Sequence, residues 1–118
     1  MVQFDNGAPI YLQIVQEMTL RILSSTLQPG QKLPSVRELA LEFGVNPNTM
    51  QRAMAQMEQE GLVYTKRTSG RFLTDQPEII KQKREDFAQA ETKRYLAYMQ
   101  KIGFTDTTQI IAYLQNMQ

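Results

Sequence analysis

The stretch "GVNPNTMQRAM", Gly44 to Met54, decides how the rest of the chain is read. Its apolar residues recur at helical spacing, yet it opens on two asparagines, a proline and a threonine. Asn46 is placed as an N-cap, Pro47 takes the first helical position, and Val45 can staple onto Met50 one turn in. Met50, Ala53, Met54 and Met57 then share a core-facing stripe, and Gly61 ends the helix. The opposite face presents Asn48, Thr49, Gln51, Arg52 and Gln56. It is rich in hydrogen-bonding groups and poor in charge, so it requires a partner other than bulk water.

Immediately upstream, "SVRELALEFG" carries Ser35 and, three residues on, Glu38. That spacing is a capping box, which satisfies two orphan N–H groups at a helix start. Val36, Leu39, Ala40 and Phe43 mark the buried stripe, and Gly44 suits a left-handed helix end. A helix of about two turns cannot stand alone and must pack on its neighbours. Two helices joined by a tight glycine-containing turn are a helix-turn-helix signature. Before them, Pro29-Gly30 in "LQPGQKLP" signals a turn, and Leu33 ahead of Pro34 is biased toward extended backbone, predicting a very short strand at Lys32 and Leu33. A first helix is predicted from Pro9, with Tyr11, Ile14, Val15, Met18 and Ile22 as its apolar stripe, fading near Thr26.

Downstream the period changes. "LVYTKRTSGRFLT" reads as two short β-rich runs around a turn at Thr68-Ser69-Gly70, the wing of a winged helix. From Pro77 a long helix is predicted to about Lys101, charged at first ("KQKRED") and apolar later, at Phe87, Ala90, Leu96, Tyr98 and Met99. Gly103 stops it. Thr105 is the expected cap of a last helix striped by Ile110, Ile111, Leu114 and Met117. The fold class is therefore mostly α (α+β). A winged helix-turn-helix domain spans residues 1–76, and a helical segment follows over 77–118.

Composition narrows the chemistry. The chain has 118 residues, 42% of them hydrophobic, which is ordinary for a folded domain with a small extension. It contains neither histidine nor cysteine, so imidazole bases, thiolate nucleophiles and N/S-ligated zinc are excluded. No paired acid and base stand out among the carboxylates, and neither an enzyme nor a bound metal or organic cofactor is expected. No apolar run approaches the ~20 residues a membrane span needs. The start, "MVQFDNGAPIYL", has no basic region followed by an apolar one, so a cytoplasmic location is expected. Net charge is +1 and says little. Its distribution says more: between Glu60 and Asp75 the only charges are Lys66, Arg67 and Arg71.

The polar helix face now has a candidate partner. In a helix-turn-helix the second helix enters the major groove with its N-terminal residues nearest the bases. Asn and Gln pair bidentately with adenine, Arg with guanine, and Thr offers a hydroxyl or a methyl. Asn48, Thr49, Gln51 and Arg52 supply those types. Free N–H groups near Ser35 suit a phosphate, Arg37 adds charge there, and Lys66, Arg67 and Arg71 are placed to hold backbone or probe the minor groove. Plainer readings exist for each piece: a good helix start, a solvated face, charges that protect a hairpin edge, methionines as core filler. The rival function is a winged helix whose third helix faces another protein. The ordered succession of capping box, glycine turn, polar face and basic wing favours DNA.

Residues 8 to 74 resemble the DNA-binding domain of GntR-type bacterial transcription regulators. The carriers are "PIYLQIVQEM" and "LPSVRELALEFGVNPNTMQRAMAQMEQEGLVYTKRTSGRFL". The resemblance implies a winged helix-turn-helix that represses transcription by binding a palindromic operator as a homodimer. Position by position it implies DNA contacts at Ser35, Arg37, Asn46, Asn48, Thr49, Gln51 and Arg52, and at Arg67 and Thr68 on the wing tip. The sequence departs from the family pattern where Thr68 replaces a usual glycine, where Arg71 replaces a usual threonine, and where Met54 replaces a frequent tyrosine. About forty residues follow the wing, too few to enclose a metabolite in a pocket of ~300 Å³. This short form resembles the YtrA-type subfamily, in which two C-terminal helices mediate dimerisation. Phe87, Leu96, Met99, Ile110, Ile111 and Leu114 are the expected dimer residues, because they exceed what a two-helix tail can bury on itself. No effector is named by the sequence.

Overall fold

The computed structural model describes residues 2–118. In chain order it contains α1 (Ile10–Leu23), α2 (Val36–Phe43), α3 (Pro47–Gln59), β1 (Val63–Lys66), β2 (Gly70–Leu73), α4 (Pro77–Lys101) and α5 (Thr107–Asn116). The chain divides into two compact units, one running to Lys83 and the other from Arg84 to Gln118.

In the first unit, α1, α2 and α3 close around a core whose residues follow the sequence stripes. Ile14, Met18 and Ile22 come from α1, Leu39, Ala40 and Phe43 from α2, and Met50, Ala53, Met54 and Met57 from α3. Four of the buried side chains are methionines with almost no exposure, Met18, Met50, Met54 and Met57. Unbranched thioethers fill the irregular space where three short helices meet. Thr19 is buried as well, and its hydroxyl is satisfied by donating to the Val15 carbonyl at 2.6 Å. Pro9 is the N-cap of α1 rather than its first helical residue. Its backbone is extended (φ −55°, ψ 142°), and its carbonyl accepts from the N–H groups of Leu12 and Gln13.

The turn between α2 and α3 is fixed at both ends. Ser35 accepts from the Glu38 N–H and Glu38 accepts from the Ser35 N–H, completing the capping box. Gly44 closes α2 at φ 70°, and Asn46 opens α3 by accepting from the Asn48 N–H at 2.7 Å. Three residues thus separate the helices, and each has its conformation set locally.

The two strands form an antiparallel hairpin pairing Val63 with Leu73, Tyr64 with Phe72, Thr65 with Arg71 and Lys66 with Gly70. Lys32 adds a single bridge on the far side of β2, opposite Phe72, where the sequence predicts a very short strand. Alternation then sorts the hairpin faces. Val63 and Leu73 are buried in the core, whereas Tyr64 stacks on Phe72 with ring centroids 5.8 Å apart. The start of α4 belongs to this unit: Ile79 and Ile80 pack against the core, and Lys83 pairs with Glu60 at 2.5 Å. The compact unit therefore extends seven residues past Gln76.

The second unit comprises the remainder of α4, a turn, and α5. Its last helix is capped by Asp106, which accepts from the Thr108 N–H at 2.9 Å, one residue later than the expected Thr105. A carboxylate outcompetes a hydroxyl for that role because it also complements the positive end of the helix dipole. Phe104 packs edge-on against Tyr113.

Candidate nucleic-acid interface

The first turns of α3 project the polar face away from the core. Asn48, Gln51 and Arg52 are exposed and Thr49 is half-buried, while Met50, Ala53 and Met54 between them have no exposure. A rigid, buried back and a solvent-facing front are what base reading requires, because the reader must be held in register. Asn46 is exposed too, but its side-chain oxygen is occupied by the Asn48 N–H. The amide nitrogen is its remaining donor group.

At the start of α2, Ser35 and Arg37 are exposed. The Ser35 hydroxyl is engaged in the capping box, and the Glu38 carboxyl is held below its ordinary value chiefly by the Ser35 N–H, then by the hydroxyl. A charged Glu38 stands beside the N–H groups expected to receive a phosphate, so Arg37 and Lys32 must outweigh it for an anion to settle there. An open cleft of about 490 Å³ separates this helix start from the hairpin tip. Lys32, Ser35, Glu38, Thr65, Thr68 and Arg71 line it.

The basic residues of the wing fall into three situations. Arg67, at the tip, is exposed and makes no ion pair among the described residues. Lys66 is exposed, but its ammonium lies 4.7 Å from the Phe72 ring centroid, so it is held along the strand by a cation–π contact. Arg71 departs from the expectation of a free cation: its Nε donates to Glu58 of α3 at 2.6 Å. The pair is charge-neutral, and the carboxylate that neutralises it was invisible in the basic cluster because it lies on the preceding helix. Thr68 occupies the tip with φ 65°, a conformation that glycine adopts freely and a β-branched residue does not.

Two nearby residues were read from the sequence as structural alone, not as part of the site. Tyr11 belongs to the apolar stripe of α1, yet Arg52 of α3 stacks over its ring, with the guanidinium carbon 3.9 Å from the centroid. Lys32 serves a strand pairing and also lines the cleft. Neither has a spacing signal, since each contact joins segments distant in the chain.

The residues expected at a dimer contact separate into two groups. Met99 and Ile110 are buried within one chain, and Phe87 and Leu96 are half-buried. Ile111 and Leu114 are exposed, together with Ile102 and Met117.

Comparison with known proteins bears on both units. Residues 10–73 match the family described as bacterial regulatory proteins, gntR family. The chain is 39% identical over 103 residues to the uncharacterised regulator YhcF of Bacillus subtilis (strain 168), covering 87% of this chain and 85% of that one. It is 43% identical over 77 residues to the transcriptional repressor YtrA of the same organism, covering 64% of this chain and 59% of that one. A GntR family transcriptional regulator from Listeria monocytogenes superposes with a TM-score of 0.88 at 39% identity, over 98% of this chain and 100% of that one. The DNA-binding domain of AraR, solved in complex with an operator, superposes with a TM-score of 0.58 at 29% identity, over 63% of this chain and 95% of that one.

Proposed function

The chain belongs to the GntR family of bacterial regulatory proteins, and on that premise we propose that it is a repressor that occupies a palindromic operator as a homodimer. The observation that carries this reading is the exposed, nearly uncharged face of α3, anchored by fully buried methionines, with Arg37 exposed before it in the chain and Arg67 after it. Asn48, Gln51 and Arg52 would read bases, and Arg37, Arg67 and Lys32 would engage phosphate. The structure of a related domain on operator DNA supports operator binding, and the repressor name of a relative supports repression.

Dimerisation is assigned to the second unit. Its large buried apolar side chains are Met99 and Ile110, whereas Ile102, Ile111, Leu114 and Met117 are between 47% and 81% exposed. So small a core does not stabilise an independent unit, and a second copy offers the same apolar surface in two-fold self-complementary form. Two linked reading heads then bind half-sites far more tightly than either head alone.

The deciding experiment is a gel shift of the purified protein on the promoter region of its own gene against a scrambled duplex. The proposal requires retardation of the promoter fragment at salt that releases the scrambled one. Equal retardation would favour a winged helix whose third helix meets a protein partner.

A further inference from the structure

We propose that Tyr11 is a positioning residue for DNA recognition: its ring holds the Arg52 guanidinium in the orientation from which it reads a base. The inference rests on the DNA-reading assignment of α3 and deepens it at one residue.

Arg52 is exposed, and the ring of Tyr11 is its cation–π partner at 3.9 Å. Tyr11 is half-buried and packed against the core, so the ring is the fixed member of the pair. An unrestrained arginine carries substantial rotamer entropy, which binding must remove. Stacking removes part of it beforehand. Its carbon lies 3.9 Å over the ring, and a guanidinium laid flat on an aromatic face keeps its in-plane N–H fork for bidentate hydrogen bonds to a base edge. Beside the pair lies an open recess of about 350 Å³ lined by Pro9, Ile10, Tyr11, Asn48, Thr49 and Arg52. The N-terminal turn of α1 thereby borders the residues assigned to reading, although α1 itself contributes none of them.

The test uses the full chain, a duplex selected by the wild-type protein from a randomised DNA pool, and a scrambled duplex of the same composition. Tyr11→Leu removes the ring and keeps apolar bulk, and Tyr11→Phe keeps the ring. Tyr11→Leu should reduce the preference for the selected duplex about two- to fivefold per half-site, the worth of an exposed cation–π contact. Tyr11→Phe should retain the preference, and Tyr11→Leu should have no further effect in an Arg52→Ala background. Repeating the cycle with Tyr11→Met guards against a folding defect in one variant, and thermal unfolding of each protein is followed in parallel. Equal weakening on both duplexes, or a full Tyr11→Leu effect without Arg52, overturns the positioning role while leaving base reading by α3 intact. A wild-type protein that selects no sequence overturns both.

Discussion

The Nε of Arg71 lies 2.6 Å from the Oε1 atom of Glu58, and the same oxygen accepts from the Thr65 hydroxyl at 2.8 Å. Thr65 and Arg71 are directly opposed across the hairpin. One carboxylate near the end of α3 therefore grips both strands of the wing. The helix that carries the candidate reading face and the hairpin that carries the tip cation are tied into a single geometry.

Arg71→Ala should accordingly act on the fold more than on DNA. The pair is partly exposed, with side-chain exposures of 22% and 34%, so the expected loss is about 1 kcal/mol in urea unfolding. The dependence of DNA affinity on salt should change little. A slope flattened by about one unit per lost contact would instead place Arg71 on a phosphate.

The same contact predicts an acid sensitivity. The Arg71 hydrogen bond is the largest cause holding the Glu58 carboxyl below its ordinary value, opposed by desolvation and aided by Thr65. A carboxylate lowered in the folded state contributes fully above the unfolded value, about 4.3, and loses that contribution as pH falls through the lower folded value. Glu58→Gln should be less stable than wild type at neutral pH. The gap should close progressively as pH drops below about 4. Melting curves across that range test the sign, and a gap that widens in acid contradicts it.

The wing tip carries a backbone strain that the sequence only hinted at. Thr68 sits at φ 65°, and its hydroxyl donates to the Arg67 carbonyl at 2.5 Å. The left-handed conformation costs a non-glycine residue about 1–2 kcal/mol, and glycine returns about 0.5–1 kcal/mol of that through its unfolded-state entropy. Thr68→Gly should therefore be neutral to mildly stabilising by about 0.5–1 kcal/mol, read from the urea midpoint. A clear destabilisation would mean that the hydroxyl contact outweighs the backbone strain.

The point where α4 leaves the first unit sets the truncation that tests the proposed dimerisation. A chain ending at Lys83 keeps Ile79 and Ile80 on the core and retains the Lys83–Glu60 pair. It should sediment as a folded monomer and bind operator far more weakly, because bivalent engagement is lost. A chain ending at Gln76 should in addition melt earlier. Dimers persisting in the Lys83 truncation would remove the second unit from the interface.

The elements that were legible in the sequence are those specified by neighbours a few residues apart. Ser35 with Glu38, Gly44, and Asn46 before Pro47 each satisfy or terminate a helix end locally, and the structure places all of them in those roles. Legibility failed where chemistry joins distant segments. Arg71 looks like a free cation beside Lys66 and Arg67 until α3 brings Glu58 to it, 13 residues away in sequence. Tyr11 looks like core until Arg52 arrives over its ring. The apolar stripe of the last helix could not reveal that Ile110 turns inward while Ile111 remains exposed, since adjacent helical positions diverge by about 100° and packing selects among them.

The roles within "NPNTMQR" are separable by experiment. Gln51 and Arg52 are exposed on α3, whereas Arg67 is exposed at the hairpin tip. If α3 reads bases, Gln51→Ala or Arg52→Ala should cost about 1–3 kcal/mol on the operator and relax discrimination at one position per half-site. Non-specific binding should change less, most clearly for uncharged Gln51. Arg67 should behave differently, because a phosphate carries no sequence information. Arg67→Ala should weaken binding to every duplex alike and flatten the log–log salt slope by about one unit per contact, roughly two for a dimer. Each variant is compared on operator and scrambled DNA across a salt series. An operator-to-scrambled ratio unchanged by both α3 substitutions would remove that helix as the reader, and the polar face would then have to meet a protein.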